Sequence, residues 1–499
     1  MQKVVVSHSG ALRSKYSNRH PEVVAAVEQL ARVDAARGLQ TRFICIDQDI
    51  MRDLGGSPSS RVGLCDIRDF AAQREAKEAV DLIVTSLSPD YIAILDGPDV
   101  IPHVRLDNPA REVREKFVDS DLPYASDADY SRNVLDYLSV TRAVARIPNA
   151  PGAANPDPVI RCLNTAAKFK SRPSADYCRY FALSAPEFAL SAKKSLRAIF
   201  NGDKDLDVVP PADSSNIGAR FSRLGHFINC HGLPSTSKFY GGPAPGGEAT
   251  VAMTSEQVAA QATEEVLVVS ECCFGAHLYD PKEAEGIGPI CLSYFVRGAL
   301  GYLGSTNTVF GGFSEDTYGK GDFLARFFFD KVLAGARLGE ALAEARQQFI
   351  KTQSMCDPGN LKTLAQFVLF GDPSAVPCQA LRTEMRYVTR KSLAKDGHAI
   401  AQAAIVPSGP GSIPEALRAE VRATAIDKGY QIVGEDISKC KGWAGAQSGA
   451  TDTPEFVMTV SAEAEPIVNA EGKTGNRSRY IIAYIANDKI IRLEEAASH

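Results

Sequence analysis

The sequence lacks the features of a membrane protein or a nucleic-acid-binding protein. No uncharged apolar run reaches the roughly 18 residues that a transmembrane helix needs, and the longest candidate, at residues 290–303, is interrupted by Arg297 and several glycines. Basic residues are not in excess, since the formal net charge is -5 and the isoelectric point is about 6.0. Without an overall positive field, neither nucleic acid nor a membrane surface is an expected partner.

A secretory signal, a disulfide framework and a metal-binding motif are also missing. The first residues, MQKVVVSH, contain only three consecutive apolar side chains before polar residues return. The eleven cysteines are odd in number and scattered, which favours reduced thiols over disulfides. Among Cys230, Cys272, Cys273, His231 and His277, no pair has the C-x2-C or H-x3-H spacing that is usual for a zinc site. We therefore expect a cytoplasmic protein without a metal or other cofactor.

The chain does contain short apolar runs that alternate with helical patterns. Over the first 115 residues, apolar runs at 4–6, 41–46 and 91–95 are separated by helical periods at 21–36 and 70–87. This βαβαβ order predicts a parallel sheet flanked by helices.

Two changes of composition divide the chain. A connector rich in proline, glycine and asparagine occupies residues 148–158, and the pattern changes again near residue 373. We predict three units: an N-terminal α/β subdomain at 1–150, a second α/β subdomain at 151–380, and a small α+β domain of unknown role at 381–499. In the last unit, Asn487-Asp488 is a predicted hairpin turn.

Two predicted strands end in residues suited to nucleophilic chemistry. The sequence GHFINCHG (225–232) brings His231 to the end of one strand, and VLVVSECCFG (266–275) brings Cys273 to the end of another. Because ligands bind beyond the carboxyl ends of strands in an open α/β sheet, we expect both side chains in one crevice. An imidazole that takes the thiol proton generates a thiolate nucleophile. Backbone N–H groups of Gly232 and Cys273 are the predicted donors to an oxyanion.

The motif around the cysteines indicates which one reacts. The sequence ECCFG (271–275) nearly matches the caspase signature QAC[RQG]G, and His231 lies 42 residues before Cys273. Cys272 then takes the alanine position of the signature, where strand alternation would point it into the core. The chain therefore resembles the caspase-like, or clan CD, cysteine peptidases.

Within that clan, residues from about 90 to 375 resemble the gingipain-like C25 family. The resemblance rests on short motifs in a common order: YIAILDG (91–97), SDLPY (120–124), ARIP (145–148), GYLGST (301–306) and FGDPS (370–374). It implies two adjacent caspase-like subdomains, each a three-layer αβα sandwich. It also implies that His231 is the general base or ion-pair partner and that Cys273 is the nucleophile.

The same resemblance implies the residues around the dyad. Gingipains orient the histidine with a glutamate at an earlier strand end, and here Glu187 stands one residue later than that position. The lysine-cleaving gingipain lines its specificity pocket with the acid of a Trp-Gly-Glu-Asp stretch, where this chain has Phe313, Glu315 and Asp316. We assign these three residues, together with Glu271, to substrate binding, and we expect cleavage after lysine or arginine.

These features predict a cytoplasmic cysteine endopeptidase that forms an acyl-enzyme with protein substrates. Such an enzyme must be held inactive until needed, so we expect activation by proteolysis or by a regulatory protein. Two alternatives remain open: a catalytically silent caspase-like scaffold or sensor in a signalling or defence complex, and an amidase that releases ammonia. A structural calcium ion in the acidic loop at 119–129 also remains open, although the EF-hand pattern is missing there.

Overall fold

A computed structural model describes most of the chain. The described residues are 1–63, 66–110, 112, 115–215, 217–243, 247–311, 319–379, 389–403, 413–439, 456–463, 466–468, 474–476 and 479–498. The strands are β1 (Gln2–Ser7), β2 (Gln40–Cys45), β3 (Tyr91–Leu95), β4 (Val104–Asp107), β5 (Phe117–Ser120), β6 (Ala143–Ile147), β7 (Tyr180–Ser184), β8 (Leu206–Val208), β9 (Gly225–Asn229), β10 (Lys238–Pro243), β11 (Ala249–Thr254), β12 (Leu267–Ser270), β13 (Gly301–Ser305), β14 (Phe310–Gly311), β15 (Phe367–Gly371), β16 (Gln431–Lys439), β17 (Phe456–Glu463), β18 (Pro466–Val468), β19 (Thr474–Asn476), β20 (Arg479–Ala486) and β21 (Lys489–Ser498).

The α-helices precede, follow or separate these strands. They are α1 (Ser9–Tyr16), α2 (His20–Ala36), α3 (Ile50–Asp53), α4 (Phe70–Leu87), α5 (Asp157–Lys168), α6 (Ser174–Tyr177), α7 (Ala189–Phe200), α8 (Ser255–Gln261), α9 (Ile290–Val296), α10 (Lys320–Leu333), α11 (Leu338–Thr352), α12 (Pro358–Gln366), α13 (Arg390–Ala403) and α14 (Glu415–Asp427). Among the residues described, no helix is long and apolar enough to cross a bilayer.

One large, mainly parallel sheet forms the centre of the molecule. Ten of the described strands run in the order β2-β1-β3-β6-β15-β13-β12-β9-β7-β8, and β15 is antiparallel to β13. Strands such as β3 and β12 are buried along their whole length, because helices cover both faces of the sheet. The sheet confirms the predicted α/β fold class.

The N-terminal strands and the later strands meet inside this one sheet. Strand β15 pairs in parallel with β6, where Phe370 is in register with Arg146. Beside this joint the buried ammonium group of Lys3 lies 2.7 Å from a carboxylate oxygen of Asp34 and 2.7 Å from one of Asp372. Burial opposes ionisation of Asp372, yet the Lys3 ammonium lowers the pKa of this carboxyl. An apolar strand pair and a buried ion pair therefore join the two halves.

The C-terminal residues form a second sheet, which also contains one short strand from an earlier part of the chain. Its order is β14-β21-β20-β17-β16, so the short strand β14 is paired with the last strand, β21. The ring of Phe310 packs edge-on against Tyr480, with centroids 4.8 Å apart. The predicted hairpin at Asn487-Asp488 is present, and both residues have positive φ, as a tight hairpin turn requires.

Candidate active site

The predicted dyad lies beyond the carboxyl ends of two neighbouring parallel strands. Strands β9 and β12 pair directly, with Ile228 in register with Ser270, and His231 and Cys273 follow these strand ends. A Cβ atom built on Gly232 would lie 1.8 Å from the backbone oxygen of Cys273. The two strand ends are therefore in backbone contact, and residue 232 has room only for glycine.

His231 is held on three sides. Its backbone N–H and C=O both bond to Tyr240, at 2.7 and 2.9 Å. The Phe188 ring packs edge-on against the imidazole at 5.0 Å, and Nε2 lies 2.9 Å from Oε1 of Glu187. Because a carboxylate accepts hydrogen bonds, this contact places the imidazole proton on Nε2. The Nδ1 atom is buried and has no hydrogen-bond partner among the described residues, so its lone pair is available as a base.

Cys273 lines a cavity but is itself only 1% exposed. The backbone N–H of Val309 donates a hydrogen bond to its Sγ atom at 3.2 Å. Burial raises the pKa of this thiol well above its usual range. A protonated thiol needs a neighbouring base before it can attack.

Cys272 points away from the cavity. Its Sγ atom accepts the backbone N–H of Cys230 at 3.3 Å, on the adjacent strand end, and the side chain is fully buried. Burial raises the pKa of its thiol to about 12. The two consecutive cysteines thus face in different directions, and Cys272 lies in the core as expected.

Glu271 does not line the cavity. It is 1% exposed, and its Oε2 accepts a hydrogen bond from Nδ2 of Asn229 at 2.9 Å. Burial and a hydrogen bond with Asp322 raise the pKa of Glu271, and burial also raises that of Asp322. The structure therefore places this predicted substrate-binding residue in the core, beneath the turn that carries the cysteines.

The cavity beside Cys273 has a volume of about 750 Å³ and is lined from both halves of the sheet. The N-terminal half contributes His103 and Phe117, among others, and the later half contributes Gly232 and residues 277–280. Phe313, Glu315 and Asp316 lie outside the described residues. No group of His, Cys, Asp or Glu side chains in the described part of the chain is arranged to hold a metal ion.

Residues 306–309 form the wall that contacts the thiol, and they are fixed by the N-terminal half. Glu115 accepts hydrogen bonds from the backbone N–H and the hydroxyl of Thr308, at 3.1 and 2.6 Å. Burial opposes ionisation of Glu115, but Lys362 at 2.6 Å lowers the pKa of its carboxyl. Sequence reasoning did not find this wall, because Val309 acts through its backbone and Glu115 lies in an ordinary charged stretch.

The chain is similar to known peptidases in both sequence and structure. Residues 231–377 match the model of peptidase family C25, a span that begins at His231 and includes Cys273. A solved structure titled "Structure of Protease" is similar at 12% identity over 99% of this chain and 96% of its own, with a TM-score of 0.46. A Saccharomyces cerevisiae separase–securin complex is similar at 12% identity over 46% of this chain and 14% of its own, with a TM-score of 0.30. No curated protein matches in sequence.

The family match confirms the resemblance to the gingipain-like peptidases that the motifs indicated. It covers the strand end with His231, the cysteine motif and the FGDPS segment. The chain is therefore a cysteine peptidase, and residues 231–377 are the part of it that matches family C25.

Proposed function

We propose that the chain is an endopeptidase in which Cys273 is the nucleophile, His231 the general base and Glu187 the residue that orients His231. The observation that carries this proposal is the 2.9 Å contact between Nε2 of His231 and Glu187, which leaves Nδ1 without a hydrogen-bond partner among the described residues. The same contact stabilises the imidazolium ion that forms when Nδ1 takes the thiol proton.

The proposed reaction proceeds in two stages. The thiolate of Cys273 attacks the scissile carbonyl carbon, and the carbonyl electron pair moves onto oxygen. Backbone N–H groups of Gly232 and Cys273 are the proposed donors to that oxyanion. Collapse of the intermediate breaks the C–N bond, and imidazolium Nδ1–H of His231 protonates the leaving amine. Water, deprotonated by His231, then hydrolyses the thioester and restores the thiol.

The preference for lysine or arginine before the cleaved bond is also part of the proposal. Phe313, Glu315 and Asp316 are its candidate pocket residues, and they follow β14 closely in sequence. Their place in the sequence supports this, because they come shortly after Val309, whose backbone N–H bonds to the thiol. An acid that lines the site would attract a cationic side chain.

The proposed regulation acts on the active site through the C-terminal domain. The proposed substrate is a protein, and the proposed location is a reducing compartment. Strand β21 pairs with β14, which continues directly from the residue that bonds to the thiol. A protease or regulatory protein that alters this domain would therefore act on the wall of the site. The cysteines in the described residues form no disulfide with one another, which supports a cytoplasmic location.

Peptide hydrolysis tests the proposal. Peptides with lysine, arginine, aspartate or asparagine before the reporter bond are incubated with the full chain, untreated and after limited proteolysis. Mass spectrometry of the same samples identifies self-cleavage sites. Hydrolysis that persists in Cys272→Ala and disappears in Cys273→Ala is the expected result. A chain that never hydrolyses peptides or proteins in a Cys273-dependent manner would contradict the proposal and favour the scaffold alternative.

A further inference from the structure

Two buried carboxyl groups lie against each other beneath the turn that carries the cysteines. Glu271 directly follows β12, Asp322 lies in the first turn of α10, and each is 1% exposed. Their side chains are hydrogen-bonded to each other. Because an ionised carboxylate can only accept hydrogen bonds, this contact requires a proton on one of the two groups. The pair therefore holds one acidic proton inside the core.

The surroundings of the pair indicate that the proton lies on Glu271. Its Oε1 atom receives no hydrogen bond from a described N–H or hydroxyl group, and burial together with the Asp322 carboxylate raises its pKa well above the usual range. Asp322 accepts the backbone N–H of Gly319 at 2.6 Å. Burial raises the pKa of Asp322 too, although Ser191 and the Lys194 ammonium favour its charged form. Glu271 is therefore the acid of the pair and Asp322 the carboxylate.

Glu271 also connects the two strand ends of the proposed dyad. Its Oε2 atom accepts a hydrogen bond from Nδ2 of Asn229 at 2.9 Å. Asn229 stands two residues before His231, and Glu271 stands two residues before Cys273. A neutral Glu271 can hold Asn229 and Asp322 at the same time, whereas an ionised Glu271 would be repelled by the Asp322 carboxylate. The geometry of both strand ends thus depends on a single proton.

We propose that Glu271 and Asp322 share one proton at neutral pH and that this acid pair positions the strand ends that carry His231 and Cys273. Glu271 is a positioning residue, since it acts through the backbone that carries the dyad. The other titratable group beside it is the Cys272 thiol, which burial keeps protonated. The positioning role rests on the proposed peptidase function, whereas the shared proton does not.

The pH dependence of unfolding tests the shared proton. Above pH 4.5 the unfolded chain releases the Glu271 proton that the folded chain retains, so stability is lost as the pH rises. From this site the unfolding equilibrium constant increases by about tenfold per pH unit. In Glu271→Gln an amide donates to Asp322 and accepts from Asn229 at any pH. Between about pH 5.5 and pH 7.5, the slope of the logarithm of this constant against pH should therefore decrease by about one.

A second variant and a matched control accompany this measurement. Asp322→Asn removes the neighbouring charge but leaves Glu271 buried, so it should decrease the slope by less than Glu271→Gln does. Glu22→Gln is the control, because a hydrogen bond from Arg19 lowers the pKa of Glu22. That carboxylate is ionised in both the folded and the unfolded chain over this pH range, so the slope should not change. An unchanged slope in Glu271→Gln or in Asp322→Asn would overturn the shared proton.

Peptide turnover tests the positioning role. Glu271→Gln keeps both hydrogen bonds and should retain kcat within about threefold, whereas Glu271→Ala loses both and should lower kcat by about tenfold or more with little change in KM. A kcat for Glu271→Ala within twofold of the wild-type value would overturn this role. If the slope decreases but the wild-type chain hydrolyses no peptide, the shared proton stands and the proposed peptidase function fails. Cys273-dependent hydrolysis with an unchanged slope has the opposite meaning.

Discussion

The imidazole of His231 donates from Nε2 to Oε1 of Glu187 across 2.9 Å, although the two residues are 44 positions apart in the chain. Glu187 reaches this position from a short 3-10 helix, Pro186–Phe188, that follows β7, the strand next to β9. The glutamate that the gingipain resemblance placed one residue out of register therefore does contact the histidine.

Replacing Glu187 by glutamine should lower kcat by roughly 10²- to 10⁴-fold with little change in KM, because an amide no longer fixes the tautomer or stabilises the imidazolium. The matched control is Glu264→Gln, at an exposed carboxylate that pairs with Arg161 on the surface. Steady-state kinetics on one peptide checks both variants. A kcat for Glu187→Gln within twofold of the wild-type value would remove Glu187 from the mechanism.

Gly232 offers a steric test of the site. In Gly232→Ala the new Cβ would collide with the backbone oxygen of Cys273, and backbone cannot give way as a flexible side chain can. We expect loss of nearly all turnover and a decrease of about 1–3 kcal/mol in the free energy of unfolding. Gly288→Ala is the control, since a Cβ atom added there would have no neighbour within 4 Å among the described residues. Urea unfolding and peptide turnover are measured for both variants. Equal stability and equal turnover in the two would contradict the prediction.

The two adjacent cysteines should differ in activity and not in stability. Cys272→Ala removes a buried sulfur that accepts the Cys230 N–H, so it should lower the free energy of unfolding by about 1–3 kcal/mol while most activity remains. Cys273→Ala removes a buried sulfur that accepts the Val309 N–H, so it should cost a similar free energy of unfolding but also abolish turnover. Denaturant titration together with active-site alkylation distinguishes the two, and a reversed pattern would assign the nucleophile to Cys272.

The buried histidine on strand β9 predicts a loss of stability in acid. Burial lowers the pKa of His226 from 6.5 to about 3, while its ring bonds to the Tyr294 hydroxyl and to the Arg223 carbonyl. Between those values the unfolded chain binds a proton that the folded chain does not. The free energy of unfolding therefore falls as the pH decreases from 6.5 towards 3, by about 2 kcal/mol between pH 7 and pH 5 from this residue.

The variant His226→Gln tests this contribution. The quantity to compare is the pH dependence of the free energy of unfolding, and not the stability at one pH. The difference in unfolding free energy between pH 7 and pH 5 should be smaller than in the wild-type chain. His8 and His277, whose pKa values are also lowered by burial, keep their own contributions. His398→Gln, at a half-exposed side chain, is the comparison variant. An unchanged difference in His226→Gln would show that His226 already accepts a proton in the folded state.

The sequence predicted the features that depend on local patterns. Strands β3 and β12 are continuous apolar runs, and the hairpin at Asn487-Asp488 follows from turn chemistry. The adjacent positions of the strand ends that precede His231 and Cys273 were predictable because parallel strand ends meet at one edge of a sheet. Glu271 was harder to place, since regular alternation stops at the strand end, and its carboxyl turns into the core beside Asp322.

Contacts between distant segments could not be predicted in this way. His103 and Asp121 lie in stretches that the sequence indicates only as loops, and their pairing depends on Arg146 from strand β6. The bond from Val309 to the thiol involves a backbone N–H, which every residue except proline possesses. Neither arrangement leaves a recognisable pattern in a single sequence.

The shared sheet determines how a substrate can enter. Separating the two halves would break the pairing of β6 with β15 and expose the Lys3–Asp372 ion pair to water, so the cavity walls cannot part as two bodies about a hinge. Access to Cys273 must then depend on movements of the loops at the cavity rim. Such movements take nanoseconds to microseconds, faster than the microsecond-to-millisecond closure of hinged domains, and they leave the distance between the two strand ends unchanged.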